Sequence, residues 1–203
     1  MEEAAVPFDD RTLAFYDNHA LEYASSQPDS LAADLLAFLP HLAPGSQILE
    51  LGCGSGDTAA ALERLGHHVD ATDGRTAMVQ LASAKLSRPA KMLRFDQLDS
   101  KSAYDAVIAN ASLLHVPHPA LPSLLARVHR ALKPGGWHFA NYKTMGKAGW
   151  DRHDRYYNRL SRSDAERFYN QAGAWFSLDF YEYEGCGYFS RPSRWLVVTA
   201  RKG

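Results

Sequence analysis

The sequence predicts an α/β fold: a seven-stranded, mostly parallel sheet with helices on both faces and an antiparallel last strand. Three observations carry this expectation. Short apolar runs alternate with amphipathic helical stripes, the pattern of βαβ units. One run, residues 105–109, is apolar after its first residue (Asp105-Ala106-Val107-Ile108-Ala109), as strands buried on both faces of a parallel sheet are. The last two strand-like segments follow one another with no helix between them, so they should pair as a hairpin.

Taken in order, residues 10–24 and 29–39 read as helices ahead of the first strand. Leu31, Leu35, Leu36 and Leu39 recur at helical spacing, and Pro40 with Pro44-Gly45 ends the pattern. Residues 47–51 form the first strand and 57–65 a helix stopped by Gly66. Strand two spans 68–72. A helix over 75–86 follows, with Met78, Leu81, Ala82 and Lys85 on neighbouring turns, and a third strand over 91–95. After strand four, at 105–109, Leu121, Leu124, Leu125, Val128 and Leu132 make one helical stripe. Strand five runs from Trp137 to Tyr142. A helix over 161–173 takes Ser161 or Ser163 as cap and Gly173 as stop, and strands at 175–183 and 194–200 close the chain.

The most informative stretch is Ile48-Leu49-Glu50-Leu51-Gly52-Cys53-Gly54-Ser55-Gly56, with Val69-Asp70-Ala71-Thr72-Asp73 some twenty residues on. An apolar strand enters a glycine-rich turn and opens a helix; a second strand ends on an acid. Glycines let a ligand lie against bare backbone, and an acid in that place can accept hydrogen bonds from a ribose. A dinucleotide fingerprint, G-x-G-x-x-G, counted from Gly52 puts its last glycine at position 57. Here that position is Asp57, and the glycine comes one residue early, at Gly56. A carboxylate in the first helical turn suits the helix dipole but repels a phosphate. The loop is therefore suited to a ligand with a ribose and no phosphate, such as S-adenosyl-L-methionine, and not to NAD.

These residues resemble those of a known family. Glu50-Leu51-Gly52-Cys53-Gly54-Ser55-Gly56 resembles motif I of the class I S-adenosylmethionine-dependent methyltransferases. Asp73 matches the family's ribose-binding acid, and Phe95-Asp96 its acidic motif beside the adenine. Tyr104 to Asn110 resembles the fourth-strand motif, and Leu125 to Gly136 the helix and turn before strand five. The motifs keep the family's order over roughly residues 45–142. The resemblance implies a Rossmann-like single domain over 1–203, in which 1–44 form a helical lid, 45–142 the cofactor-binding core, and 143–203 a substrate-side segment with the final hairpin. It also implies transfer of a methyl group from S-adenosyl-L-methionine to a small-molecule acceptor by in-line displacement, leaving S-adenosyl-L-homocysteine. A methyltransferase acting on protein or RNA, or a non-catalytic S-adenosylmethionine-binding protein, shares the same motifs.

The resemblance names the cofactor residues. Gly52, Gly54 and Gly56 line the methionine and ribose, Glu50 reaches the amino group through water, and Asp73 with Gly74 and Arg75 flanks the ribose. Phe95 and Asp96 lie by the adenine, and Asn110 follows strand four. Asp73 reads equally as an N-cap for the helix after it. Tyr16 and Tyr23, seven residues apart, share a helical face and are expected over the cofactor. Two residues are candidates at the reacting end. His115 is either a general base or a histidine that shapes the pocket; Tyr156 lies in the Arg- and Tyr-rich segment from Trp150 to Arg159. Tyr16, Tyr23, Tyr156 and Arg191 are expected to face the sulfonium, where aromatic faces stabilise a cation.

Composition narrows the partners. The 203 residues are 46% hydrophobic and 22% charged, with net charge −1, so no broad basic face for nucleic acid is expected. Strand four runs into Asn110-Ala111-Ser112-Leu113 and not the Asn/Asp-Pro-Pro-Tyr motif of adenine-base methylation. The histidines show no metal-ligand spacing. Two cysteines, Cys53 and Cys186, fit a reducing cytoplasm. No apolar signal core follows Met1-Glu2-Glu3, and no run approaches the roughly 20 apolar residues of a membrane span.

Overall fold

The computed structural model describes residues 6–26, 31–187 and 191–203. Nine strands occur among them: β1 (Gln47–Leu51), β2 (His68–Asp73), β3 (Lys91–Met92), β4 (Tyr104–Ala109), β5 (Leu132–Lys143), β6 (Gly149–Trp150), β7 (Tyr156–Tyr157), β8 (Trp175–Gly187) and β9 (Arg191–Lys202). Seven form one sheet in the order β3-β2-β1-β4-β5-β9-β8, and β6 with β7 makes a separate antiparallel ribbon. β1 to β5 pair in parallel; β9 runs antiparallel between β5 and β8. The expected closing hairpin is therefore present, with the last strand inside the sheet and β8 at its edge.

Among the described residues seven α-helices accompany the strands: α1 (Asp10–Asn18), α2 (Ala20–Ser25), α3 (Ala33–Phe38), α4 (Asp57–Arg64), α5 (Thr76–Ser83), α6 (Leu121–Ala131) and α7 (Arg162–Ala172). The period-2 geometry of β4 explains why it is apolar on both faces from Ala106 to Ala109. Val107 and Ala109 face the layer of α6 and α7, with Leu121, Leu124, Leu125, Val128 and Phe168. Ala106 and Ile108 face the opposite layer, with Leu35, Phe38, Ala59, Leu62 and Ala82.

Local signals set the helix ends. The Ser161 hydroxyl accepts from the Asp164 backbone N–H at 3.1 Å and caps α7, which stops at Gly173. A Cβ on Gly173 would stand 2.7 Å from the His129 ring, so glycine is needed there for space. Four expectations on element bounds are corrected. The helix expected over 10–24 breaks at His19, whose φ/ψ of −117/20 is non-helical and whose Nδ1 lies 3.0 Å from the Phe15 carbonyl. The helix expected over 29–39 is α3 followed by a 3₁₀ turn at Leu39–His41, where Pro40 removes a backbone donor; residues 29 and 30 lie outside the described ones. β3 keeps only two residues because the chain turns into a 3₁₀ segment at Phe95–Gln97. β5 starts at Leu132, pairing with Tyr104 before the register shifts at the Pro-Gly-Gly stretch.

Candidate functional site

The sheet order turns back on itself at β1 and β4, which lie side by side while their connections leave in opposite directions. In open α/β sheets such a switch point leaves a crevice at the carboxyl ends of the strands. A cleft enclosing about 1030 Å³, its open mouth included, lies there. The glycine loop after β1 forms its floor. Gly52 has φ +75, and a Cβ on it would stand 2.5 Å from the Ser112 Cβ; any side chain there would both strain the backbone and collide.

Asp73 closes β2 and ties two loops together. Its Oδ2 accepts from the Gly54 N–H at 3.0 Å and its Oδ1 from the Arg75 N–H at 2.9 Å. Each oxygen keeps a further lone pair, and the residue lines the cleft. Burial pushes the Asp73 carboxyl up to about 6, against three backbone donors that lower it. Glu50, at 2% exposure, is raised further, to about 8, by burial and by the nearby Asp73 and Asp57 charges. Its Oε2 is buried in the cleft wall with no hydrogen-bond partner among the described residues, as is the Arg75 Nε. Uncompensated polar atoms of this kind carry a free-energy cost that a ligand can relieve.

Asn110 joins the cleft through a buried network. Asn141 donates from Nδ2 to Asn110 Oδ1 at 3.0 Å and to Asp34 Oδ2 at 2.8 Å, while its Oδ1 accepts from the Ala111 N–H at 2.5 Å. Tyr183 donates to the same Asp34 oxygen at 3.1 Å. The end of β4 is thus fixed from β5, α3 and β8 together.

Aromatic groups cover the far end. Tyr16 and Tyr23 both line the cleft, their rings edge to face at 5.2 Å; the helix break at His19 leaves them on one side. Burial pushes the Tyr16 hydroxyl up to about 12 and Tyr23 well above its usual range, so both stay neutral. His115 Nδ1 donates to the Tyr156 carbonyl at 2.5 Å, which leaves Nε2 as acceptor for the Tyr16 hydroxyl at 3.0 Å. Burial, with the Arg155 and Lys143 charges, lowers His115 to about 3, so the ring is neutral. The 149–157 segment docks on α1: the Trp150 indole donates to Asp9 at 3.2 Å, the Tyr156 N–H to the Thr12 hydroxyl at 2.7 Å, and Arg155 lies 4.8 Å from the Phe15 ring centre.

Of the residues singled out in the sequence, Tyr16, Tyr23, Glu50, Gly52, Gly54, Asp73, Gly74, Arg75, Phe95, Asn110 and His115 line the cleft. Three do not. Gly56 caps α4 with φ +84, and its open side packs on Ala82, where a Cβ would stand 2.9 Å from the Ala82 Cα. Asp96 turns away to pair with Arg94 at 3.3 Å. The Tyr156 ring packs on Trp150 at 5.6 Å, outside the cleft; its buried neighbour Tyr157 takes the inner position, 4.8 Å from the His115 ring. The Arg191 side chain lies outside the described residues. Asp57 lines the cleft but pairs with Lys85 at 2.6 Å, so its repulsion of a phosphate is weaker than the sequence alone implies. Thr12, Thr58 and Ser112 also line the cleft; nothing in their local sequence marks them. Among the described residues no group of His, Cys, Asp and Glu could hold a metal ion.

Sheet order, glycine loop and strand-end acid together define the Rossmann-like methyltransferase class. Residues 23–193 match the family model described as Methyltransferase domain, and the chain belongs to that family. Trans-aconitate 2-methyltransferase of Deinococcus radiodurans is 31% identical over 160 residues, 76% of this chain and 56% of that protein. Ubiquinone biosynthesis O-methyltransferase of Albidiferax ferrireducens is 31% identical over 123 residues, 56% of this chain and 47% of that protein. The chain spans about half the length of the curated relatives it matches. Among solved structures, 1,6-didemethyltoxoflavin-N1-methyltransferase of Burkholderia thailandensis has the same fold, with TM-score 0.71 and 21% identity, covering 93% of this chain and 84% of that one. A methyltransferase from Methanosarcina mazei superposes with TM-score 0.73 at 17% identity, covering 85% of this chain and 98% of that one.

Proposed function

We propose that the cleft binds S-adenosyl-L-methionine and that the protein transfers its methyl group to a small-molecule acceptor at the Tyr16–His115 end. The observation that carries this reading is the buried, unpartnered Glu50 Oε2 in the wall of a cleft that also holds Asp73. An acceptor at that depth calls for a donor such as an amino group, and the Asp73 oxygens offer free lone pairs to vicinal hydroxyls. S-adenosylmethionine carries both. The relatives named for trans-aconitate and for ubiquinone biosynthesis act on small molecules, which supports the acceptor class.

When bound, S-adenosylmethionine supplies an electrophilic methyl group on a sulfonium. The chain's own residues then have three tasks. Glu50 and Asp73 fix the two polar ends, and Phe95 offers an apolar face to the base. Tyr16 and Tyr23 present ring faces that stabilise a cation by roughly 0.5–2 kcal/mol. The α1 helix and the 149–157 segment, tied together through Thr12, Asp9 and Phe15, exclude water over the cleft. Positioning alone can lower such a barrier by about 7–11 kcal/mol. His115 is a positioning residue in this account: its Nε2 already accepts the Tyr16 proton, which holds the Tyr16 ring over the cleft.

The unpaired thiols, buried Cys53 and exposed Cys186, suit a reducing compartment such as the cytoplasm. Among the described residues no helix is long and apolar enough to cross a membrane. The test of the reading is a screen of cofactor-loaded protein against methyl acceptors, read as S-adenosylhomocysteine formed. Turnover with a small acceptor supports it; turnover only with protein or RNA overturns the acceptor class.

A further inference from the structure

Beside His115, two cations at the buried Tyr157 ring have no acceptor. Lys143 ends β5 at 9% exposure, with its Nζ 4.4 Å from the Tyr157 ring centre and 5.5 Å from that of Trp195. Its ammonium makes no hydrogen bond or ion pair with any described residue. The Arg159 guanidinium sits 4.8 Å from the same Tyr157 ring and likewise has no described partner. The Trp195 indole Nε1 is buried without a hydrogen-bond partner. The third cation nearby, Arg155, is matched: it donates twice to Asp151 Oδ2, at 2.7 and 3.1 Å.

A buried ammonium is costly unless paired, and ring faces compensate only part of that cost. Two cations share the Tyr157 ring, and the nearby Asp151 carboxylate is already taken up by Arg155, so the pair lacks an anion of its own. We propose that Lys143 and Arg159 form an anion subsite that holds a carboxylate of the methyl acceptor beside the Tyr157 ring. This rests on the methyl-transfer reading and deepens it by naming the acceptor class as a carboxylic acid. The place fits. Tyr157 touches both the Lys143 ammonium and the His115 ring, and His115 lines the cleft, so a molecule anchored here reaches toward the Tyr16 end. Burial and the neighbouring arginine charges lower Lys143 to about 8 against the opposing Asp151 charge, and a bound carboxylate would raise it.

The test uses benzoate as probe and benzamide as its uncharged counterpart, titrated into the full chain and followed by tryptophan fluorescence. Benzoate is expected to bind at least tenfold more tightly than benzamide. Lys143→Met and Arg159→Asn should each weaken benzoate at least fivefold while leaving S-adenosylhomocysteine affinity within twofold. Arg159 has φ +48, a conformation asparagine accepts, so that variant decides the matter if Lys143→Met does not fold. Equal affinity for benzoate and benzamide, or benzoate binding untouched by Arg159→Asn, overturns the subsite. Failure of wild-type protein to bind S-adenosylhomocysteine would sink the methyl-transfer reading instead, and the benzoate comparison would still decide the subsite.

Discussion

The Tyr16 hydroxyl stands 3.0 Å from His115 Nε2, joining residues 99 positions apart across the mouth of the cleft. Because His115 Nδ1 must donate to the Tyr156 carbonyl, the direction of the Tyr16 bond is fixed: the phenol donates. Tyr16→Phe removes that donor and leaves a buried Nε2 unpaired. We expect the fold to lose about 1–3 kcal/mol and methyl transfer to slow, with S-adenosylhomocysteine affinity nearly unchanged. Thermal melts and a split between kcat and cofactor Kd check this. A large loss of cofactor affinity with normal turnover would show that Tyr16 serves binding alone.

Asp73 holds Gly54 and Arg75 in place and faces the cleft. Asp73→Ala should weaken cofactor binding by about 1.5–3 kcal/mol, the scale of hydrogen bonds to a charged group. Calorimetry on folded variant is the check. An unchanged dissociation constant would reduce Asp73 to a cap for the loop.

Glu50 gives a pH signature. Its carboxyl, pushed up to about 8 by burial and by neighbouring acids, is mostly protonated at pH 7 in the free protein. A ligand ammonium favours the charged form and draws that value down. Binding should therefore release protons near pH 7, and affinity should rise as pH increases from 6 to 8. Calorimetry in buffers of different ionisation enthalpy measures the release, which Glu50→Gln should abolish. Identical proton release in wild type and Glu50→Gln would refute the role.

Two glycines separate backbone strain from crowding. Gly66 has φ +88 with nothing within 4 Å of a would-be Cβ, so Gly66→Ala should cost only the roughly 1–2 kcal/mol of the left-handed conformation. Gly52→Ala adds overpacking against Ser112, which is pinned by its 2.5 Å bond to the Leu51 carbonyl. We expect roughly 2–5 kcal/mol in total and loss of cofactor binding. Equal denaturant midpoints for the two variants would contradict the crowding at Gly52.

The parts of this protein legible in its sequence are those with short-range causes. The glycine loop and Asp73 sit at adjacent strand ends, so spacing alone placed them together. The helix of Leu121 to Val128 and the closing hairpin follow from periodicity. What was not legible depends on distant partners. Asn141 meets Asp34 across 107 positions, and no local pattern announces it. The choice between Tyr156 and Tyr157 turns on the phase of a two-residue strand, β7, which is too short to show alternation. A shift of one residue exchanges the faces, and the structure puts Tyr157 inside. Asp96 and Gly56 match the motif by position; the ion pair of Asp96 with Arg94 and the packing of Gly56 on Ala82 of α5 are contacts that position alone does not announce.

The central claim is that this cleft is shaped for an adenosyl ligand without phosphates. Isothermal calorimetry with S-adenosylhomocysteine and with NAD, on the same protein preparation, tests it most directly. The account predicts saturable one-to-one binding of S-adenosylhomocysteine and no measurable heat from NAD. Tight NAD binding with no response to S-adenosylhomocysteine would contradict it.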